Sequence, residues 1–152
     1  MNLSLQGLSH MVVRPIAGTD IPAATGLLEQ LGYPMGETEA ARRLDIVQRA
    51  DGHRVWIAEN GRQVLGLLHA FFRPALDKPP EVVVQALVVD GAQRSKGVGE
   101  ALMKVAEQWA RENGSATVSL YSGAQRADAH RFYERLGYAR TGASNLMRKT
   151  LA

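Results

Sequence analysis

Residues 93–102 read QRSKGVGEAL, two cations and two glycines just ahead of an apolar helical stretch. The chemistry such a run can do is to hold an anion. A helix start leaves backbone N–H groups unpaired and carries the positive end of the helix dipole. Gly97 and Gly99 remove side chains that would keep a diphosphate off those amides. Arg94 and Lys96 add charge-assisted partners at the rim. The bland alternative is a tight strand-to-helix turn with solvated cations, and the glycines alone do not decide between the two. A Rossmann fingerprint needs a third glycine where Leu102 stands, and a Walker loop needs Gly-Lys-Ser/Thr after four spacers; both fail. What survives is the physics they share, because a buried strand delivers this run to a helix N-terminus. That context favours the anion site over a bare turn.

The elements around the run follow from periodicity. MVVRPI (11–16) is a short β-branched strand. In the helix that follows, Thr19 is placed as N-cap, Pro22 falls in the first turn and Gly32 stops the chain. A second helix over TEAARRLDIVQRA turns Ala41, Leu44 and Val47 to one side. RVWIAENGRQVLGLLHAFF is a hairpin folded at Asn60-Gly61. EVVVQALVVD (81–90) is too apolar for a strand with one wet face and reads as central, buried on both sides. Val98, Leu102, Val105 and Trp109 stripe the helix after the basic run. A strand (116–122), a helix carrying Ala129, Phe132, Tyr133 and Leu136, and a last strand in ASNLMRKTL complete a β-α-α-β-β-β-α-β-α-β order. That order is a mixed α/β sheet with one strand-helix-strand crossover at 81–122.

Bulk properties bound the function. A chain of 152 residues fits one domain, here 11–152 behind an extension at 1–10, where Met11 offers a second start. The absence of cysteine excludes disulfides, thiolate metal sites and a cysteine nucleophile, and agrees with a cytoplasmic setting. A net charge of +3, with acids interspersed among the bases, argues against a nucleic-acid partner. No apolar run approaches the roughly 20 residues a membrane span needs, and the N-terminus lacks the features of a signal peptide.

Arg94-x-x-Gly97-x-Gly99 after ALVVD, then a helix, a strand and AHRFYERLGY, resembles the GNAT superfamily of acyl-CoA-dependent N-acetyltransferases. QALVVD and RADAHRFYERLGY look most like its small-molecule members of the aminoalkylphosphonate N-acetyltransferase type. The resemblance implies a mostly antiparallel twisted sheet whose two central parallel strands splay apart, flanked by about four helices. It implies acetyl-CoA as co-substrate, with the thioester in the splayed gap. Backbone groups of Leu87, Val88 and Val89 would pair with the pantetheine arm. Amides of Arg94, Ser95, Lys96, Gly97, Val98, Gly99 and Glu100 would hold the pyrophosphate. The family often has an asparagine seven residues before its tyrosine; Arg126 stands there, so Ser122 or Arg126 takes that coenzyme contact, or Arg126 is simply solvated.

Acetyl transfer needs a neutral amine, a donor for the developing oxyanion and a proton for the departing thiolate. A strand amide, Val88 among them, serves the oxyanion. Tyr133 matches the family's acid position, and a phenol near pKa about 10 can protonate a thiolate near about 8.5; by spacing alone it is equally a core aromatic. The resemblance implies a glutamate on the 81–88 strand, but Val83 and Ala86 occupy the positions where it would stand, and the Gln85 amide cannot take a proton. Glu81, His69, His130 or water remain as bases. Loop 31–36, with Tyr33 and Met35, and Phe71-Phe72 are expected to wall the acceptor pocket. The reading is transfer to a small-molecule primary amine, with a peptide acetyltransferase or a silent acyl-CoA-binding module as rivals. Relatives commonly dimerise, which leaves a homodimer as an expectation.

Overall fold

A computed structural model of the chain describes residues 10–122 and 127–152. Most of the expected N-terminal extension, and Arg126, lie outside the described residues. Strand β1 (Val12–Pro15), helices α1 (Ile21–Leu31) and α2 (Glu37–Arg49), and strands β2 (His53–Glu59), β3 (Val64–Arg73) and β4 (Glu81–Val89) come first. Helix α3 (Val98–Glu112), strand β5 (Val118–Leu120) and helix α4 (Ala127–Arg135) follow.

Two of the helix signals, the α1 N-cap and the α2 stripe, act one residue away from where the sequence reading puts them. Asp20, not Thr19, is the N-cap of α1, and its buried carboxylate accepts from Arg14 at 2.8 and 2.9 Å and from the Ala17 N–H at 2.7 Å. Pro22 sits in the first turn, and Gly32 ends the helix at φ 108°, in the left-handed region that favours glycine. On α2 the inward stripe is Ala40, Leu44 and Val47, so Ala40 replaces the expected Ala41, which is exposed. The hairpin at Asn60 forms, but its loop is four residues long: the Asn60 side chain accepts from the amides of Arg62 and Gln63 at 3.0 and 2.9 Å.

The strands lie in sequence order β1-β2-β3-β4-β5, antiparallel except for the β4–β5 pair, which is parallel. Successive side chains of β3 point to opposite faces. Leu67 packs with Ile57, Val88, Ala24 and Leu27 on the α1 face. Gly66 turns to α3, whose Val98, Leu102, Met103 and Ala106 are buried. Trp109 of α3 meets Trp56 edge-on, with ring centroids 5.7 Å apart, and the Arg54 guanidinium lies over the Trp109 ring.

The chain from Ser122 onward forms a compact unit of its own. In it α4 ends at Gly137, φ 94°, and the Tyr133 ring contacts those of Phe132 and Tyr138. The expected last strand is not there. Among the described residues 139–152 form no ladder, and Leu146, Met147 and Leu151 are exposed. Adjacent apolar residues at 146 and 147 cannot share a sheet face, so this segment never had the alternation of a half-buried strand.

The close approach of α3 to β3 depends on Gly66. A Cβ there would meet the Val88 carbonyl oxygen at 3.0 Å and the Val98 and Leu102 side chains at 3.1 Å. Gly66→Ala is expected to lower unfolding free energy by about 1–3 kcal/mol, the usual cost of overpacking, measured by urea denaturation. An unchanged midpoint would show that α3 can retreat freely.

Candidate active site

The site begins with one extra residue in β4. Gly66 to His69 pair with Val89 to Ala86, but Ala70 pairs with Val84, so Gln85 has no partner on β3 and forms a bulge. Backbone direction switches across it. The Val82 N–H donates to Thr117 of the β5 side at 3.1 Å, whereas the Asp90 N–H donates to Leu65 on the β3 side at 2.8 Å. Because direction alternates along a ladder, Ala86 and Val88 turn their amides to β3, and Leu87 and Val89 turn theirs to the other edge. There β5 has already stopped: its register runs only from Val82↔Val118 to Val84↔Leu120. Leu87 and Val89 therefore present backbone groups to an open gap. Val88 does not, which corrects its assignment as oxyanion donor, and its side chain belongs to the α1-side core. The expectation that β4 is buried on both faces holds for Glu81–Val84 and fails at Gln85, which is exposed.

The strand then leads into the basic run. A short 3-10 turn at Gly91–Gln93 is held from outside by Gln30 of α1, which donates to the Asp90 carboxylate at 3.1 Å and accepts from the Gly91 N–H at 2.9 Å. Ser95 has φ 65° and Gly97 φ 84°, so the chain makes two left-handed steps before α3 starts at Val98. Gly97 is the N-cap and supplies no side-chain cap, and the amides of Val98, Gly99 and Glu100 precede the first intrahelical donor, Ala101. Arg94, Ser95 and Lys96 are exposed beside them, and neither cation forms an ion pair with a described residue. Gly97 lies in the left-handed region that favours glycine. An uncapped helix start with two loose cations can hold a phosphate pair.

A family model for the acetyltransferase (GNAT) family matches residues 23–138. The chain belongs to that family. An uncharacterized N-acetyltransferase of Bacillus subtilis (strain 168), YhdJ, is 35% identical over 109 residues, 71% of this chain and 75% of that protein. N-acetyltransferase 8 of Mus musculus is 33% identical over 96 residues, 61% of this chain but only 41% of that protein, so the chain spans less than half of this relative. The aminoglycoside N-acetyltransferase AAC(6')-Iy, solved in complex with CoA, superposes with a TM-score of 0.84 at 20% identity, over 93% of this chain and 96% of that one. The fold is thus the single-domain α/β acetyltransferase fold with a five-stranded mixed sheet.

For this acetyltransferase the expected bases are all engaged. Glu81 is buried at the start of β4, where Arg73 and the Ser119 hydroxyl donate to its two oxygens and Lys78 stands 3.6 Å away. His130 accepts at Nδ1 from Arg140, 2.9 Å away. His69 lies 2.9 Å from His53, ring nitrogen to ring nitrogen, and its pKa is pushed down to about 4 by burial and then by the charge of His53. A ring so weakly basic is neutral at pH 7 and a poor store for an ammonium proton. Of the two expected pocket phenylalanines, Phe71 shares a face with His53 and stacks on it at 5.1 Å, while its neighbour Phe72 faces the other way, against Gly52. Tyr33 is exposed. Ser122 lies two residues beyond the end of β5, half-buried. Tyr133 is half-buried within its own unit.

Three features had no signal in the residue pattern: the Gln85 bulge, the Gln30 clip and the His53 partner of His69. Each is a cross-strand or cross-element contact between residues far apart in sequence. The His69 environment gives a pH test. A histidine held neutral by the fold contributes stability that is full above about 6.5 and is lost as the pH falls through about 4. Unfolding free energy should therefore fall more steeply over that window in the parent protein than in His69→Gln, measured by urea titration at each pH. Parallel curves would contradict the assignment.

Proposed function

We propose that this acetyltransferase moves the acetyl group of acetyl-CoA to the primary amine of a small molecule by direct attack. The observation that carries the reading is the order of two binding elements: the β4 edge at Leu87 and Val89 leads, through the Gly91–Gln93 turn and the basic run, to the uncapped start of α3. The pantetheine arm, an extended amide-bearing chain, would pair with Leu87 and Val89 as an added strand does. The pyrophosphate would lie on the amides of Val98, Gly99 and Glu100, with Arg94 and Lys96 at its rim.

The chain's own groups supply the rest. An amide at Leu87, directed into the gap, is suited to hold the oxyanion in place of Val88. Tyr133 is assigned as the acid that protonates the departing sulfur; its match to the family's tyrosine in AHRFYERLGY supports this. The likeness to an aminoglycoside N-acetyltransferase supports a small amine over a peptide as acceptor.

Two measurements test these roles. Arg94→Ala and Lys96→Ala should each weaken CoA binding by about tenfold, the cost of one charge-assisted contact, and leave binding of pantetheine, which lacks the pyrophosphate, unchanged. Equal losses for both ligands would remove the phosphate role. Tyr133→Phe should lower kcat by about a hundredfold while acetyl-CoA affinity holds. A normal kcat in that variant would return Tyr133 to packing.

A further inference from the structure

Acetyl transfer begins with an ammonium group that must lose a proton, and the residues expected to take it are absent or engaged. Val83 and Ala86 stand where carboxylates would, and Glu81 already accepts from Arg73 and Ser119. One titratable side chain belongs to the residue at which β5 leaves β4. Tyr121 follows Leu120, the last β5 residue paired with β4, so it stands level with Gln85, where β4 turns its backbone to the open edge. It is 70% exposed, yet its hydroxyl is not left to water alone, because Arg73 Nη1 donates to the phenolic oxygen at 3.3 Å.

The arrangement is built across three strands. Arg73 ends β3, Glu81 opens β4, and Ser119 and Tyr121 come from β5 and its end. Arg73 holds Glu81 with one nitrogen and Tyr121 with another, so Glu81 fixes the guanidinium that touches the phenol. The charged groups facing Tyr121 are Arg73 from β3, Lys78 from the β3–β4 loop and Glu81 from β4. Two cations against one carboxylate leave the phenolic oxygen in a net positive setting, which favours its ionised form. The Arg73 hydrogen bond, followed by the charges of Arg73 and Lys78, accordingly holds the phenol below its usual range.

We propose that Tyr121 is the general base of the reaction, its phenolate taking the proton of the acceptor ammonium beside the point where β5 leaves β4. The inference rests on the acetyl-transfer reading above. The N–H proton passes to Tyr121 Oη, and the freed nitrogen lone pair forms a bond to the acetyl carbonyl carbon. The C–S bond then breaks, and the sulfur leaves with the electron pair as thiolate and takes up the proton of the assigned acid, Tyr133. The nitrogen sheds its second N–H proton to water as it becomes the amide, Tyr133 regains a proton from water, and Tyr121 returns its own proton to water. An ammonium and a phenol both titrate near about 10, so the transfer is close to balanced. A cation beside the phenol raises the fraction ionised near neutral pH, where a base is most useful.

The test compares the parent protein with Tyr121→Phe and Arg73→Lys, using acetyl-CoA and a panel of small primary amines. Phenolate absorbance in the ultraviolet, taken as parent minus Tyr121→Phe, should report one phenol titrating below the usual range. With an amine that is acetylated, kcat/KM should rise with pH along that same titration. In Tyr121→Phe it should fall by about a hundredfold, and its rise should move up to the amine's own pKa, with CoA affinity unchanged. Arg73→Lys should keep partial activity. A Tyr121→Phe variant with the parent rate and pH profile, or a phenol titrating in the usual range, overturns the proposal. If the parent binds CoA and its phenol titrates low but no amine is acetylated, the transfer reading itself fails and takes the base role with it.

Discussion

One unpaired residue in a strand governs this protein. Without Gln85, the ladder between β3 and β4 would run in a single register and β4 would present the same backbone parity along its length. With it, the amides beyond Val84 change sides, and Leu87 and Val89 are turned toward an edge that β5 no longer covers. A sheet edge is normally a hazard, since unpaired N–H and C=O groups invite another strand. Here the edge is short and bent by the bulge, and it is the edge proposed to pair with the extended, amide-bearing arm of the coenzyme. The opening comes from register alone and requires no special side chain.

The remaining elements keep that opening in a fixed relation to the uncapped start of α3. Helix α3 can lie close on β3 only because Gly66 has no side chain, and its buried Val98 and Leu102 fix where the helix starts. Gln30 ties the turn between β4 and α3 to helix α1 on the opposite face of the sheet. At the closed end of the gap only three residues of β5 pair with β4, and the Arg73–Glu81–Ser119 contacts add side-chain links across the same three strands. A carboxylate buried without such partners would cost several kcal/mol, so Glu81 is better understood as part of this clamp than as a mobile base.

The element order up to α4, the stripes of α1 and α3, and the basic helix start were legible because each rests on local spacing. Pro22, Gly32 and Gly97 announce their places through their own dihedral limits. What was not legible depends on pairing between distant segments. Nothing in QAL signals a bulge, since the apolar run around Gln85 fits a regular buried strand equally well. For the same reason Val88 looked as good an oxyanion donor as Leu87: a parity switch is a property of two strands. The exposed tail is the opposite error, where β-prone residues suggested a strand although their apolar positions do not alternate. Tyr121 carried no motif at all, and its interest comes from Arg73, forty-eight positions away.

The proposed coenzyme site joins a bulge-exposed strand edge to an uncapped helix start. Amide hydrogen exchange resolved by residue, with and without CoA, tests it most directly. Leu87 and Val89 should exchange quickly in the free protein and become protected on binding, with Val98, Gly99 and Glu100 protected alongside, while Val88 is slow in both states. Protection of Val88 alone, or CoA binding that leaves Leu87 and Val89 exchanging freely, would contradict the account.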